Sequence, residues 1–589
     1  MITAWRGLRR PGRCAQGPLA ASYPPSRVSR LRPSRDTISR MAQITRSAGT
    51  YDAVVVGSGA TGGWAAKELS EAGFNVALLE AGPKVTPKEF TEHMQTWQLP
   101  YLGMSPKVRE SHPIQGQCYA CTEFNYKWFV NDHDNPYTQE KPFNWIRMRI
   151  LGGRSLSWGR QSYRMGDLDF KAASHDGYGE DWPVDYAEMT PYYEKVERYV
   201  GISGQSEGLS QLPDSVFLPP MEMTCTENAF RKAVKAKFGR TVTIGRTAIL
   251  TKNHNGRAAC HYCGPCERGC ITNSYFASPF TTVADALKTG RTTLITDAVA
   301  ARIVMKDGKA SGVSYIDRTT RASREVRAKI IFLTASTLES TRLMLNSGIC
   351  NSSGVLGHYL MDHIYQGGAT GEMSEPETKP WAGMPRRPNG IYIPRFRNVK
   401  EKMTNGFIRG YGYQGGGNVN FQMNAPGFGA SYKDAVRQGA ASVGVSLWGE
   451  CLPRMENRVE IDRSRVDAWG VPILKVNMEW GDNEKKIWHD GRAQAAEMIE
   501  AAGGRNVRMT GQYSVPGFCI HEVGTARMGN NPKTSVLNRY NQAHDVENIF
   551  CTDGACYVTI GCQNPTLTMM ALTVRACDYI KHEYSKKIA

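Results

Sequence analysis

The strongest constraint on the fold is a glycine-rich turn that joins an apolar strand to a helix near the start of the chain. The β-branched run at residues 54–56 leads into Gly57-x-Gly59-x-x-Gly62, and a helical pattern follows over residues 64–72. Glycines at these spacings let the backbone approach a pyrophosphate, and the N-terminus of the next helix supplies N–H donors and a positive dipole end. The pattern therefore predicts a dinucleotide-binding strand–turn–helix unit.

A second predicted strand, residues 75–80, ends on an acidic residue at the place where the dinucleotide pattern needs one. Glu80 can accept hydrogen bonds from ribose hydroxyls. With the strand, the helix and the acid all in place, a dinucleotide site is favoured over a chance turn. The spacing alone does not separate FAD from NAD.

Charge and hydropathy exclude several classes of protein. The net charge is +17, but the first 50 residues hold ten arginines against one acid, Asp36, so the basic surplus is concentrated in a tail. We therefore expect no nucleic-acid surface on the folded part, and deleting the tail would remove any such binding. The tail resembles a transit peptide in composition, but we expect it to be disordered and Met41 to be the true start. Apolar runs such as residues 330–333 are far too short for a transmembrane segment.

Fifteen cysteines, an odd number in a long chain without a convincing export signal, indicate metal or redox sites rather than a disulfide framework. Four of them are packed closely, as Cys260-x2-Cys263-x2-Cys266-x3-Cys270. The spacing matches a ferredoxin-type run, although Ile271 stands where proline is expected. An iron–sulfur cluster is the leading expectation. A zinc ion held by four thiolates and a metal-free loop are the alternatives.

Two polar residues near the C-terminus lie among small, turn-forming residues. His521 lies in the segment from Gly517 to Gly529, and Asn564 lies in Gly561-Cys-Gln-Asn-Pro-Thr, ahead of an apolar helical run. Such loops, where backbone meets ligand, are frequent places for functional side chains. An imidazole that titrates near neutrality can take a hydroxyl proton, and a neighbouring amide can orient the same oxygen.

Taken together, these segments resemble the glucose–methanol–choline (GMC) family of FAD-dependent oxidoreductases, from Tyr51 to about Ile580. The branch is that of gluconate dehydrogenases, pyranose oxidases and sugar dehydrogenase flavoproteins. Besides the segments already described, the resemblance rests on four motifs, at residues 151–158, 181–183, 357–363 and 450–459, and on Asp553-Gly554.

The resemblance implies an α/β fold with a Rossmann-like FAD-binding domain, discontinuous in sequence, and a β-sheet substrate-binding domain. Residues 1–48 would form the tail. The FAD-binding domain would comprise residues 49–90, 145–200, 250–364 and 535–589. The substrate-binding domain and its lid segments would comprise residues 91–144, 201–249 and 365–534.

The resemblance also assigns roles to residues. His521 and Asn564 would form the catalytic pair, with His521 as base. Asp553, Gly554 and the Asn564–Thr566 segment would lie along the isoalloxazine and ribityl chain. The remaining cofactor contacts would come from Gly57, Gly59, Gly62, Glu80, Gly152, Gly153, Ser157 and Val299. Ser157 stands where pyranose oxidases carry the histidine that bonds the flavin covalently, so we expect non-covalent FAD.

The expected activity is oxidation of a CH–OH group of a sugar, glycoside or polyol to a ketone or lactone. An oxygen-reducing sugar oxidase of the pyranose oxidase type is one alternative, and a non-catalytic flavin-binding module is another. A small subunit, or a cytochrome or quinone acceptor, is the expected partner. The cytoplasm is the expected compartment, and the periplasm would require export with a partner subunit.

Overall fold

A computed structural model describes residues 45–99, 106–373, 387–420, 426–437 and 440–588. Most of the predicted tail lies outside the described residues. The strands are β1 Thr45–Val56, β2 Val76–Leu79, β3 Thr138–Gln139, β4 Ile202–Ser203, β5 Phe217–Leu218, β6 Thr243–Ile244, β7 Thr292–Ile295, β8 Ala298–Lys306, β9 Lys309–Asp317, β10 Ser323–Leu333, β11 Ile364–Met373, β12 Ile391–Ile393, β13 Tyr411–Asn420, β14 Ala440–Gly449, β15 Arg458–Val466, β16 Pro472–Asn477, β17 Arg505–Met509 and β18 Ile549–Cys551.

The helices follow the same chain order. They are α1 Ala60–Glu71, α2 Pro106–Ser111, α3 Asp167–Phe170, α4 Ala172–Asp176, α5 Tyr186–Val200, α6 Cys225–Phe238, α7 Thr282–Lys288, α8 Thr337–Ser347, α9 Gly429–Arg437, α10 Asp482–Ala501, α11 Thr566–Tyr579 and α12 Ser585–Ile588.

The first sheet is seven-stranded, in the order β7-β2-β1-β10-β9-β8, with β18 also paired to β10. Strands β7, β2, β1, β10 and β18 run parallel, whereas β8, β9 and β10 form an antiparallel meander. Alternate residues of β1 enter different apolar clusters: Val54 and Val56 pack with α8, and Ala53 and Val55 pack with α1 and α11. Helices therefore cover both faces of the sheet, as expected for a parallel sheet whose strands are continuously apolar.

The second sheet is six-stranded and antiparallel, in the order β17-β11-β14-β13-β12-β6. Helix α10 packs across β11, β14 and β17, and it buries Ile487, Trp488 and Ala495. Two smaller sheets, β15-β16-β3 and β4-β5, complete the strand pairing among the described residues. The predicted α/β architecture, with a Rossmann-like sheet and a separate β-sheet, is confirmed.

Strands and turns of both sheets supply the residues that matter for function. The glycine turn lies between β1 and α1, His363 immediately precedes β11, Gln414 lies in β13, and Asn564 precedes α11. The exact domain boundaries stay a prediction. Among the described residues, none of the helices combines the length and the apolar character needed to cross a membrane.

Candidate active site

A cleft with a volume of about 2280 Å³ runs from the glycine turn to His521. Nearly all of the predicted cofactor and catalytic residues line it. They are Gly57, Gly59, Glu80, Gly153, Ser157, Val299, His521, Asp553, Gly554, Asn564 and Thr566. Gly62 and Gly152 do not line the cleft, but Gly62 packs against the Gly57 carbonyl, and Gly152 N donates a hydrogen bond to Ser58 Oγ. The structure thus brings residues that are more than 500 positions apart in the chain together in one cleft, as a site for a large cofactor requires.

The backbone around the glycine turn is packed so closely that it leaves no room for a side chain at Gly57 or Gly62. Gly57 has φ +100°, in the left-handed region, and a Cβ at Gly62 would lie 1.8 Å from the Gly57 carbonyl oxygen. Gly59 caps the N-terminus of α1 and faces the cleft. Backbone N–H groups that are exposed at a helix N-terminus, with no side chain in front of them, can bind a pyrophosphate. These residues therefore fit a flavin adenine dinucleotide.

Glu80 is buried and ties the glycine turn to the end of β2. Its Oε2 accepts hydrogen bonds from Ser58 Oγ at 2.5 Å and from Ser58 N at 3.3 Å, and its Oε1 accepts one from Gly82 N at 2.7 Å. Gly152 N in turn donates to Ser58 Oγ at 2.8 Å. Burial raises the pKa of Glu80. Structural hydrogen bonds therefore already use part of the carboxylate, and its contact with a ribose stays a prediction.

Asp553 is another residue that lines the cleft. Its carboxylate accepts hydrogen bonds from Ser336 N at 3.1 Å, Ser340 Oγ at 2.5 Å and Ala555 N at 3.0 Å. Asp553 thereby joins the start of α8 to the turn that follows β18. Ser157 is also buried, and its hydroxyl donates to Met148 Sδ at 2.9 Å. Their contacts with a flavin stay predictions.

His521 and Asn564 meet at the far end of the cleft. Asn564 Nδ2 lies 3.3 Å from His521 Nε2, and Gln414 Nε2 donates to Asn564 Oδ1 at 2.6 Å. Burial, followed by the proximity of His363 and Arg154, lowers the pKa of His521 well below its usual value. The imidazole is therefore neutral near pH 7 and available to accept a proton.

Three residues beside this pair were not predicted from the sequence. His363 Nδ1 lies 2.9 Å from His521 Nδ1, and His363 Nε2 lies 2.9 Å from the Gly561 carbonyl oxygen. Asp362 accepts hydrogen bonds from the backbone N–H of both histidines, at 2.9 and 3.1 Å. Gln414 orients Asn564. The available signal was the Asp362-His363 pair at the end of the motif at residues 357–363, whereas nothing in the sequence distinguishes Gln414.

An aromatic wall, formed by Tyr365, Trp448 and Phe518, lines the cleft near His521. The rings of Tyr365 and Trp448 have their centroids 4.7 Å apart, and Tyr365 stacks on Phe518 at 6.4 Å. The amides of Gln414 and Gln366 line the same cleft. Apolar faces next to amide donors and acceptors suit a small molecule that carries both C–H and hydroxyl groups.

The structure gives no support for the predicted metal centre at the four-cysteine run. Within the described residues, no three of its sulfurs lie within 4.8 Å of one another. Instead, Cys260 Sγ accepts a hydrogen bond from Tyr262 N, and Cys270 Sγ accepts one from Ser274 N. The sequence spacing fixed how near the cysteines are along the chain but not how the loop orients their sulfurs. The iron–sulfur prediction is therefore not supported.

Cys263 lies instead beside two exposed histidines. One ligand atom from each of Cys263, His93 and His261 lies within 4.8 Å of the others. Burial and the neighbouring thiols raise the pKa of Cys263 to about 12, so this thiol is protonated at neutral pH.

The chain matches two protein-family models, both described as GMC oxidoreductase, over residues 51–365 and 453–573. It is 30% identical to 2-methyl-1,2-propanediol dehydrogenase of Mycolicibacterium austroafricanum, covering 92% of this chain and 97% of that protein. It is 27% identical to the fructose dehydrogenase large subunit of Gluconobacter japonicus, covering 90% of this chain and 98% of that protein.

Comparison of structures gives the same result for the fold. The chain superposes on pyridoxine 4-oxidase from Mesorbium loti with a TM-score of 0.57 at 17% identity, covering 90% of this chain and 99% of that one. The family matches span most of the chain and include the glycine turn, His521 and Asn564. The protein therefore belongs to the GMC oxidoreductase family and is an FAD-dependent enzyme that acts on CH–OH groups.

Proposed function

We propose that this enzyme is a dehydrogenase that oxidises a CH–OH group of a sugar, glycoside or polyol to a ketone or lactone. The observation that carries the proposal is the meeting of His521 Nε2 and the Asn564 amide, 3.3 Å apart, in a cleft that reaches the glycine turn. When bound, FAD supplies a two-electron acceptor for the hydride that leaves the carbinol carbon.

His521 acts as the base in this proposal. The substrate O–H bond breaks and its proton passes to His521 Nε2, while the C–H electron pair leaves as hydride and the C=O bond forms. Asn564 hydrogen-bonds and orients the reacting oxygen, and Gln414 fixes the rotation of the Asn564 amide. General-base catalysis of this kind contributes about 10²- to 10⁴-fold to a rate.

Three features support a polyhydroxylated substrate. The aromatic wall offers apolar faces, and the amides of Gln366 and Gln414 offer hydrogen bonds beside it. The two similar dehydrogenases act, by their names, on a diol and on a sugar. One of them is named as a large subunit, so we further propose that electrons leave through a protein or quinone carrier rather than through dioxygen.

FAD is held without a covalent bond in this proposal, because a serine hydroxyl cannot make the histidyl linkage. Ser157 occupies the relevant position, buried and hydrogen-bonded to Met148. Acid precipitation should release all of the flavin into the supernatant. Flavin that remains attached to the denatured chain would contradict this part.

One anaerobic titration tests the function. The purified holoenzyme is mixed with D-fructose, D-gluconate, sorbitol, D-glucose and 2-methyl-1,2-propanediol in turn, and the visible flavin absorbance is recorded. We expect at least one compound to bleach the flavin in wild type but not in His521→Ala on the same timescale. Reoxidation should then be faster with a quinone or ferricyanide than with dioxygen. Bleaching by no compound, while dithionite still reduces the flavin, would count against the sugar or polyol class.

A further inference from the structure

His363 is a buried histidine whose two ring nitrogens both have partners. Its Nε2 lies 2.9 Å from the carbonyl oxygen of Gly561, and its Nδ1 lies 2.9 Å from His521 Nδ1. The side chain is fully buried, and it packs edge-to-face on the His521 ring, with centroids 5.0 Å apart. The fold thus fixes both hydrogen bonds of this ring.

The partners determine where each proton sits. A carbonyl oxygen can only accept, so Nε2 of His363 must carry the hydrogen of that bond. Burial lowers the pKa of His363 to about 4, so the ring is neutral at pH 7 and its Nδ1 is a lone pair. The contact between the two Nδ1 atoms needs one donor, and His521 is the only one of the two rings that can supply it.

The hydrogen positions on His363 also determine which ring nitrogen of His521 can accept a proton. With its hydrogen on Nδ1, a neutral His521 presents a lone pair at Nε2, where the Asn564 amide lies at 3.3 Å. Asn564 Oδ1 accepts from Gln414 Nε2, so its Nδ2 faces His521 as a donor. Every link from Gly561 to Gln414 is consistent with this single arrangement of hydrogens.

We propose that His363 is a positioning residue, which holds His521 in the tautomer whose Nε2 carries the lone pair that takes the substrate proton. This inference rests on the proposed role of His521 as base. As Nε2 gains its proton, the Nδ1–H of His521 keeps its bond to the lone pair of His363, which stabilises the imidazolium. In histidines generally, the hydrogen bond made by one ring nitrogen determines whether the other ring nitrogen carries a proton or a lone pair.

The backbone reinforces the contact. The Asp362 carboxylate accepts from His363 N at 2.9 Å, from His521 N at 3.1 Å and from Gly517 N at 2.9 Å. One buried side chain therefore fixes both histidine segments relative to each other. Cys519 Sγ also lies near His521 Nδ1, at 3.4 Å, and in the proposed tautomer this sulfur is a second, weaker acceptor for the Nδ1–H of His521.

A matched pair of variants isolates the acceptor. His363→Asn places an amide oxygen where Nδ1 stands, whereas His363→Leu has nearly the same shape without an acceptor. Both lose the bond to Gly561, so a purely structural loss would affect them equally. We expect flavin reduction in the leucine variant to be about 10- to 100-fold slower than in the asparagine variant, the effect typical of removing the partner that orients a metal-bound histidine. KM should be similar in the two, because residue 363 does not line the cleft.

Two further measurements decide the assignment. In 15N NMR of histidine-labelled holoenzyme, the wild-type His521 ring should carry its proton on Nδ1, with the signal assigned by its loss in His521→Ala. In a His521→Ala background, the asparagine and leucine variants should reduce the flavin at equal rates. Equal rates of the two variants in the wild-type background, a difference that persists without His521, or a wild-type proton on Nε2 would each overturn the proposal. If neither variant retains FAD, the 15N spectrum of the wild-type enzyme alone decides whether the ring proton of His521 lies on Nδ1.

A different result would show that the proposed role of His521 as the base is wrong. If His521→Ala reduced its flavin at the wild-type rate, His521 would not be the base. The NMR spectrum would then still report whether His363 fixes the tautomer.

Discussion

The amide nitrogen of Asn564 lies 3.3 Å from Nε2 of His521, although 43 residues separate them in the chain. The contact exists because Asn564 lies two residues before the start of α11, and His521 lies in a turn held by Asp362. Two neutral groups are thereby placed where one hydroxyl oxygen can contact both.

The first prediction concerns this pair. His521→Ala should retain FAD, since the glycine turn is remote from the substitution, but flavin reduction should slow by about 10²- to 10⁴-fold through loss of the base. Asn564→Ala should cost less, because it removes orientation and not the proton acceptor. Rapid-mixing kinetics under anaerobic conditions measure both. An unaltered rate in His521→Ala would assign the proton step to another residue.

The second prediction concerns pH. Burial, with His363 and Arg154 nearby, lowers the pKa of His521 well below 6.5, so the neutral base persists as the solution is acidified. Because the rate needs the neutral form, titration of His521 itself should slow flavin reduction only in acid well below pH 6.5. Burial and the neighbouring Glu522 raise the pKa of Asp362 to about 7, so Asp362→Asn is measured beside wild type to remove that titration. A decline with its midpoint near 6.5 that persists in Asp362→Asn would show an ordinary, unshifted histidine.

The third prediction concerns the cofactor cradle. Gly62→Ala would place a Cβ 1.8 Å from the Gly57 carbonyl oxygen, so the turn must move and FAD should be lost on purification. Gly511→Ala is the matched control, because a Cβ there meets nothing within 4 Å. The ratio of flavin absorbance to protein absorbance measures the outcome. Full flavin content in Gly62→Ala would place the cofactor elsewhere.

The fourth prediction concerns Asp362. Its carboxylate accepts three backbone hydrogen bonds, and an asparagine would turn a donor toward at least one of those N–H groups. Asp362→Asn should therefore lower the free energy of unfolding by about 1–3 kcal/mol, the cost of leaving a buried donor unpaired. It should also slow flavin reduction, since both histidine segments lose an anchor.

Asp482 provides the control for that change. It is 93% exposed, so Asp482→Asn should alter the denaturation midpoint little. If Asp362→Asn matched this control in both stability and rate, the anchoring role would be wrong.

Local patterns in the sequence determined much of the nucleotide-binding half. The apolar run at residues 54–56, the glycines after it and the acid at Glu80 are covalent near neighbours, so their spacing alone indicated a strand, a turn and a helix. The structure places the strand at Thr45–Val56 and the helix at Ala60–Glu71, with boundaries shifted by a few residues because sheet pairing extends β1 toward Thr45.

Other features were decided only by packing between distant segments. His363 meets His521 across 158 positions, and Gln414 meets Asn564 across 150, because the start of β11, strand β13, the turn at His521 and the residues before α11 converge. The cysteine run shows the converse: its spacing suggested one metal centre, but the loop conformation, which spacing does not specify, brings no three of its sulfurs within 4.8 Å of one another. Sequence spacing thus determined which groups are chemically available, and the tertiary contacts decided which of them meet.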